Sequence, residues 1–515
     1  MHKEGGCNGD DSRDQFHPGD TGSHQALPVS HQLKLEAKSV GDDSQEAPQK
    51  VSGFVLLVIM LLSTTEGFNM GYLNGLMDIF REEGVSSDQI GLLTFINFPF
   101  LLCFLGGPIV DRYYSNKFGK RRTYLLPSKI VASLAYAGFS LYIDQAVADK
   151  QISLITWVLV AIGSIQFFDF NALLGLRYEV FGPKGSGMAS FTLFAGILIG
   201  EFFGFTMFVL LNSKYFCQDL LGLKSERLFT HQMLLILYSV LSLIAGLLTL
   251  GVKEKPCHRN VASPNERSMN TYTMIRIMLC DPVVKRATLW VLYSGYALAC
   301  IKASIPQMLI HKGMRREHIV IMDGLIVVPF MIFGNWLLNK YIVIGKIMRS
   351  CCILMILYLG SCFIDLANVL TFDSDSRYEL GLALYLFSNM CTGFLPYMSY
   401  QIAFVNSISH PEHAASFATT MLGLMNFGKV IPITIAVSML DFVPFTALFL
   451  ILTISNMLIL FLTYNNIVRQ IDDATLDEYH AGIDKYTHGS TKNKESLIAK
   501  SEELLSQVSP SDRRA

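Results

Sequence analysis

An apolar run from Ile90 to Val110, stopped abruptly at Asp111 and Arg112, sets the limits on what this chain can fold into. The run is long enough to cross a hydrocarbon core of about 30 Å at roughly 1.5 Å per residue. A short basic loop follows with Lys117, Lys120, Arg121 and Arg122, and then a new apolar run begins. Short loops rich in Lys and Arg stay on the cytoplasmic side of a membrane, so this loop is expected in the cytoplasm.

The pattern recurs. GMRREHI at residues 313–319 opens a run reaching Pro329 and Phe330, as GVSSDQI at 84–90 opens one reaching Pro99 and Phe100. The second copy closes with Asn339, Lys340, Gly345, Lys346 and Arg349, where the first has Asp111, Arg112, Gly119, Lys120, Arg121 and Arg122. Two copies in the same order imply two similar halves.

Half of the 515 residues are apolar and only 16% are charged, against about 25% charged in ordinary soluble domains. That excludes a soluble enzyme and predicts a polytopic membrane protein. A net charge of −1 gives no sign of a nucleic-acid partner. The ten cysteines show no metal-site spacing and fall mostly in apolar runs, where Cys acts as a small hydrophobe. No metal or cofactor is expected, and the pair His410 and His413 reads as solvated loop.

In chain order, residues 1–50 read as a disordered cytoplasmic tail without a signal-peptide pattern. Residues 51–251 hold six spans, 252–284 a basic cytoplasmic linker, 285–466 six more spans, and 467–515 a cytoplasmic tail. The first span is expected over 51–73, the third over 123–143, the ninth over 347–366 and the tenth over 380–404. In the fifth span Gly196, Gly200 and Gly204 repeat every four residues, which predicts a close helix contact.

The G-x-x-x-D-R segment leading into GKRR resembles the signature loop of the major facilitator superfamily. Within it, Phe98, Pro99, Phe100, Pro108, Asp111, Tyr114, Gly119 to Arg122, Leu126 and Pro127 are similar to the acetyl-coenzyme A transporter family. The similarity continues at Tyr142 to Asp144, Gly187, Ala189, Ser190, Phe216, Cys217, Asn426, Phe427, Gly428, Pro432 and Asp441. The resemblance implies an all-α membrane protein with about twelve helices in two six-helix bundles. It implies a carrier, not an enzyme, exchanging acetyl-CoA against CoA across the endoplasmic reticulum membrane. The alternatives are a facilitator for another organic anion or a muropeptide-like solute and, third, a non-transporting membrane protein. The partners expected are an anionic small molecule and the lipid bilayer. Oligomeric state stays open, a homodimer included.

Ionisable groups inside spans are costly and so are functional candidates. The set is Glu66, Asp169, Glu201, Lys302 and Lys429, with Asn69 beside Glu66 and Asp323 as a span-end group. Lys302 and Lys429 are taken as the lysines well inside spans, able to meet the phosphates of the substrate. Glu66 and Glu201 are expected to pair with them in an empty cavity. Asp111, Arg112, Lys120, Arg121 and Arg122 are expected to form a latch, in which Asp111 meets the N-terminal end of the eleventh helix. No nucleotide-hydrolysis loop appears, so energy must come from gradients or exchange.

Overall fold

The computed structural model describes residues 51–115, 117–182, 185–225, 227–254, 282–294, 296–339, 347–394, 405, 414–439 and 442–463. They belong to one compact unit, residues 50–515. Both tails, the linker from 255 to 281, and Lys340, Gly345, Lys346, His410, His413 and Asp441 lie outside the described residues.

Twelve helical passes are described. The first half holds α1 (Gly53–Glu82), α2 (Gln89–Arg112), α3 (Arg122–Ala148), α4 (Ile152–Phe181), α5 (Gly187–Asn212) and α6 (His231–Gly251). The second holds α7, in the pieces Pro282–Ser294 and Tyr296–His311, then α8 (Arg316–Leu337), α9 (Ile347–Thr371), α10 (Tyr378–Phe394), α11 (Ala414–Met439) and α12 (Phe445–Thr463). Nine of the described helices are long and apolar enough to cross a bilayer. The chain is an all-α membrane protein.

Several helices outrun their apolar runs. α1 continues past Leu73 to Glu82, and α9 runs past Leu366 to Thr371. At 1.5 Å per residue a 30-residue helix reaches about 45 Å, beyond the hydrocarbon thickness. Hydropathy alone cannot mark the ends of such helices.

The repeat is visible in local geometry. Gly84 and Gly313, which follow the first helix of each half, both take left-handed backbone angles, φ 75° and 98°. α2 tightens to a 3-10 turn over Thr94–Asn97 just before Pro99, and α8 widens to a π turn over Met322–Val327 just before Pro329. Proline lacks the N–H that would bond the carbonyl four residues back, so the ladder is disturbed there.

α1 and α5 run side by side on glycines from both helices. A Cβ on Gly200 would lie 2.0 Å from the Thr64 carbonyl oxygen, and one on Gly204 2.3 Å from that of Phe68. Gly67 and Gly71 answer from α1, at 2.0 Å from Ile197 O and 2.8 Å from Glu201 O. Any side chain at these positions would push the backbones apart.

A polar cavity between the halves and its flanking charge clusters

The halves meet through α2 against α11 and through α5 against α8. In the first pair Gly423 sits against the backbone of Leu101 and Phe104. In the second, Gly324 faces Thr206 where two π turns abut, Phe202–Met207 of α5 and Met322–Val327 of α8. π turns leave carbonyls imperfectly paired and concentrate at functional places.

Between the halves lies a cavity of about 190 Å³. It is lined by Met70, Leu73 and Asn74 of α1, Asn97 and Phe100 of α2, Glu201 of α5, and Asn426 and Val430 of α11. Asn74 donates to Glu201 Oε1 at 3.3 Å. Three amides and one carboxyl therefore converge on a space that both halves enclose. Lys429, 8% exposed, neighbours Val430 and lies three residues beyond Asn426.

Below α1's cavity residues sits a polar layer. Tyr136 donates to Asn69 Oδ1 at 2.7 Å, Asn69 donates to Gln166 at 3.2 Å, and Gln166 donates to the Tyr238 hydroxyl. One turn further along α1 is a sealed ion cluster. Lys129 of α3 places Nζ 2.7 Å from Glu66 Oε1, 2.6 Å from Asp169 Oδ2 and 2.8 Å from Thr65 Oγ1. Glu66, Lys129 and Asp169 are at most 3% exposed.

The second half carries its own cluster. Lys302 of α7 bonds Asp365 of α9, Ser388 Oγ at 2.8 Å and Asn389 Oδ1 at 3.4 Å on α10. Asn389 in turn donates to Asp323 Oδ1 at 3.3 Å, and Tyr385 donates to Asp323 Oδ2 at 2.6 Å. The first, third and fourth helices of each half thus hold a lysine, sealed in the first half and partly exposed in the second, with carboxylates or amides. Lysine stands on the third helix in one half and on the first in the other.

The expected pairing therefore needs correction. Glu66 meets Lys129, not Lys302 or Lys429, and Glu201 meets Asn74. Lys302 is held by Asp365 within its own half. Lys129 was open to the same rule that selected the other buried charges. It stands seven residues into α3, close behind the basic loop and Pro127, and so reads as loop charge. Asp365 escaped because it falls at the expected end of the ninth span, whereas α9 carries on to Thr371 and buries it completely.

At the end bearing the basic loop, Asp111 of α2 accepts from the Ser416 backbone N–H of α11 at 2.9 Å and from the Ser416 hydroxyl. Its other oxygen lies 2.9 Å from both Lys120 Nζ and Arg121 Nη1. Arg121 also reaches Glu179 at 2.5 Å, and Glu254 accepts from the backbone N–H groups of Arg121 and Arg122 at 3.1 and 2.8 Å. Burial alone would pull the Arg121 guanidinium down. Asp111 and Glu179 outweigh that and hold it above its ordinary value. Arg112 lies over the Tyr113 ring at 5.5 Å.

The opposite end is also bridged. Ser213, just past the end of α5, donates to Glu317 of α8 at 2.7 Å, and Arg316 reaches Glu82 of α1 at 2.5 Å.

Comparison with known proteins agrees with this geometry. The family model for the Major Facilitator Superfamily matches residues 57–437. An uncharacterised protein of Schizosaccharomyces pombe is 28% identical over 185 residues, 35% of either chain. A putative transporter AmpG 1 of Rickettsia felis is 25% identical over 209 residues, 39% of this chain and 45% of that one. The chain thus spans about a third to a half of the length of these curated relatives. Among solved structures, the human organic anion transporter MFSD10 superposes with TM-score 0.55 at 14% identity, covering 81% of this chain and all of that one. The transporter FucP in its outward conformation gives 0.51 at 16% identity, covering 80% and 97%. The matched length, the helical passes and the paired halves agree: the chain belongs to the Major Facilitator Superfamily and is a multi-pass membrane protein.

Proposed function

We propose that this transporter carries an organic anion by alternating access, with acetyl-CoA, exchanged against CoA across the endoplasmic reticulum membrane, as its first candidate. The observation that carries the mechanism is the amide-lined cavity enclosed by both halves, with bridges between the halves at either end. Breaking the bridges at one end at a time would expose the cavity alternately. Lys429, adjacent in sequence to the cavity-lining Val430, would supply positive field to an anion. The substrate itself rests on the family resemblance of residues 84–145. The solved organic anion transporter of similar fold is compatible with that class.

A second reading is a smaller or less charged solute, muropeptides included. Two observations favour it. The cavity, about 190 Å³, is below the roughly 300–1,000 Å³ typical of sites for drug-sized ligands. Part of the chain also resembles a putative AmpG transporter.

Purified protein in proteoliposomes separates the readings. Labelled acetyl-CoA taken up only by vesicles preloaded with CoA supports the first. Uptake of an anhydromuropeptide and none of acetyl-CoA supports the second. No uptake of either would reject acetyl-CoA and muropeptides as the substrate.

A further inference from the structure

We propose that Glu66, Lys129 and Asp169 form a one-proton site, through which this transporter couples to protons. The argument starts from charge. One ammonium serves two carboxylates, with contacts of 2.6 and 2.7 Å, and all three groups are sealed. Among the ion pairs of the described residues, Lys129 is the sole cation on either carboxylate. Fully ionised, the cluster would hold one uncompensated negative charge at depth, at a cost of several kcal/mol. One proton shared by the two carboxyls removes it, and such a pair titrates as a unit.

The groups around the cluster do not supply the missing charge. α2 presents Cys103, α3 Tyr136 and α6 Tyr238, all neutral at ordinary pH, and Thr65 gives its hydroxyl oxygen to Lys129. Asp169 Oδ1 accepts from no donor among the described residues. The second half differs here: its extra carboxylate, Asp323, accepts from both Tyr385 and Asn389.

Position links the site to transport. Glu66 lies one turn before Met70 on α1, and Met70, Leu73 and Asn74 line the cavity. The Tyr136, Asn69 and Gln166 layer separates the two. A movement of α1 that reshapes the cavity therefore reaches Glu66 and can admit water to the cluster, letting the proton leave on one side and return on the other. Coupling rests on the transporter reading; the proton site does not.

The test begins without any substrate. Infrared difference spectra of the purified full chain in nanodiscs, recorded across a pH series, should show a protonated-carboxyl band in the wild type. Asp169→Asn and Glu66→Gln each leave one lysine facing one carboxylate, and should each remove about one proton's worth of that band. An unchanged band in both variants, or no such band in the wild type, overturns the site. Isotopically labelled aspartate and glutamate in the wild-type chain identify the carboxyls should a variant fail to fold. A band that moves with neither label also overturns it. In proteoliposomes, a proton gradient should change labelled acetyl-CoA uptake several-fold in the wild type and not in Asp169→Asn. Uptake indifferent to the gradient would overturn coupling. If acetyl-CoA is not carried at all, the substrate reading fails while the spectra still decide the proton site.

Discussion

Asp111 at the end of α2 and Ser416 in the first turn of α11 are joined twice across the two halves, through the serine backbone N–H at 2.9 Å and through its hydroxyl. The carboxylate thus stands at the positive end of a helix that belongs to the other half. Lys120 and Arg121 crowd its second oxygen, so one side chain ties the basic loop, α2 and α11 together.

Asp111→Asn should weaken that tie. The amide keeps one acceptor oxygen but loses the charge that holds Arg121, itself 1% exposed. We expect the population closed at this end to fall by about tenfold, about 1.4 kcal/mol, with lower thermal stability as well. Alkylation of a cysteine placed at Thr420, one turn beyond Ser416 on α11 and 7% exposed, reads the change. An alkylation rate equal in both backgrounds would show that Asp111 serves only its own loop.

The glycine contact makes a second prediction. Gly200→Leu and Gly67→Leu should each reduce folded protein, because both Cβ positions fall 2.0 Å from a backbone carbonyl oxygen of the facing helix. Gly138→Leu is the control, since nothing lies within 4 Å of its Cβ position. Size-exclusion profiles and thermal unfolding should separate the first two from the third. Equal behaviour of all three would contradict close packing of α1 on α5.

Much of this was legible in the sequence, and the exceptions have physical causes. The Gly196, Gly200 and Gly204 stripe announced a tight contact, but the answering Gly67 and Gly71 lie inside the first span, among the candidates Glu66 and Asn69. The rule that buried charge is costly singled out Glu66, Asp169 and Lys302, and the structure buries the first two and leaves the third partly exposed. It could not say which partner each would find, because pairing depends on helix rotation and neighbour choice. The cavity's amides, Asn74, Asn97 and Asn426, carry no charge and break no hydropathy run. Only the fold brings them to one place.

Glu254 makes a third prediction. Its carboxylate accepts from the free N–H groups of Arg121 and Arg122 at the start of α3, and it lies 3.9 Å from the Arg122 guanidinium. Glu254→Ala should loosen the basic loop and cost about 1 kcal/mol of stability, while Glu254→Gln should keep part of the cap. Hydrogen exchange at residues 119–125 measures this. Exchange unaffected by Glu254→Ala would rule out the cap.

The lysines Lys302 and Lys429 give the last prediction, because they stand in different surroundings. Lys302 is held by Asp365, which is completely buried, and by Ser388 and Asn389. Lys302→Gln strands that carboxylate, and breaking a buried pair from one side costs roughly 3–5 kcal/mol. Lys302→Gln combined with Asp365→Asn removes both charges and should recover most of the stability. Lys429 is buried on α11 next in sequence to Val430, which lines the cavity, and on the anion reading Lys429→Gln should weaken uptake of an anionic substrate more than that of a neutral one. Thermal unfolding and proteoliposome uptake, read together on the three variants, distinguish structure from binding. A double variant as stable as the wild type that also transports normally would make the Lys302 pair purely architectural. Recovered stability without recovered transport would give Lys302 a place in the transport cycle. Equal loss of anionic and neutral uptake in Lys429→Gln would remove Lys429 from substrate recognition.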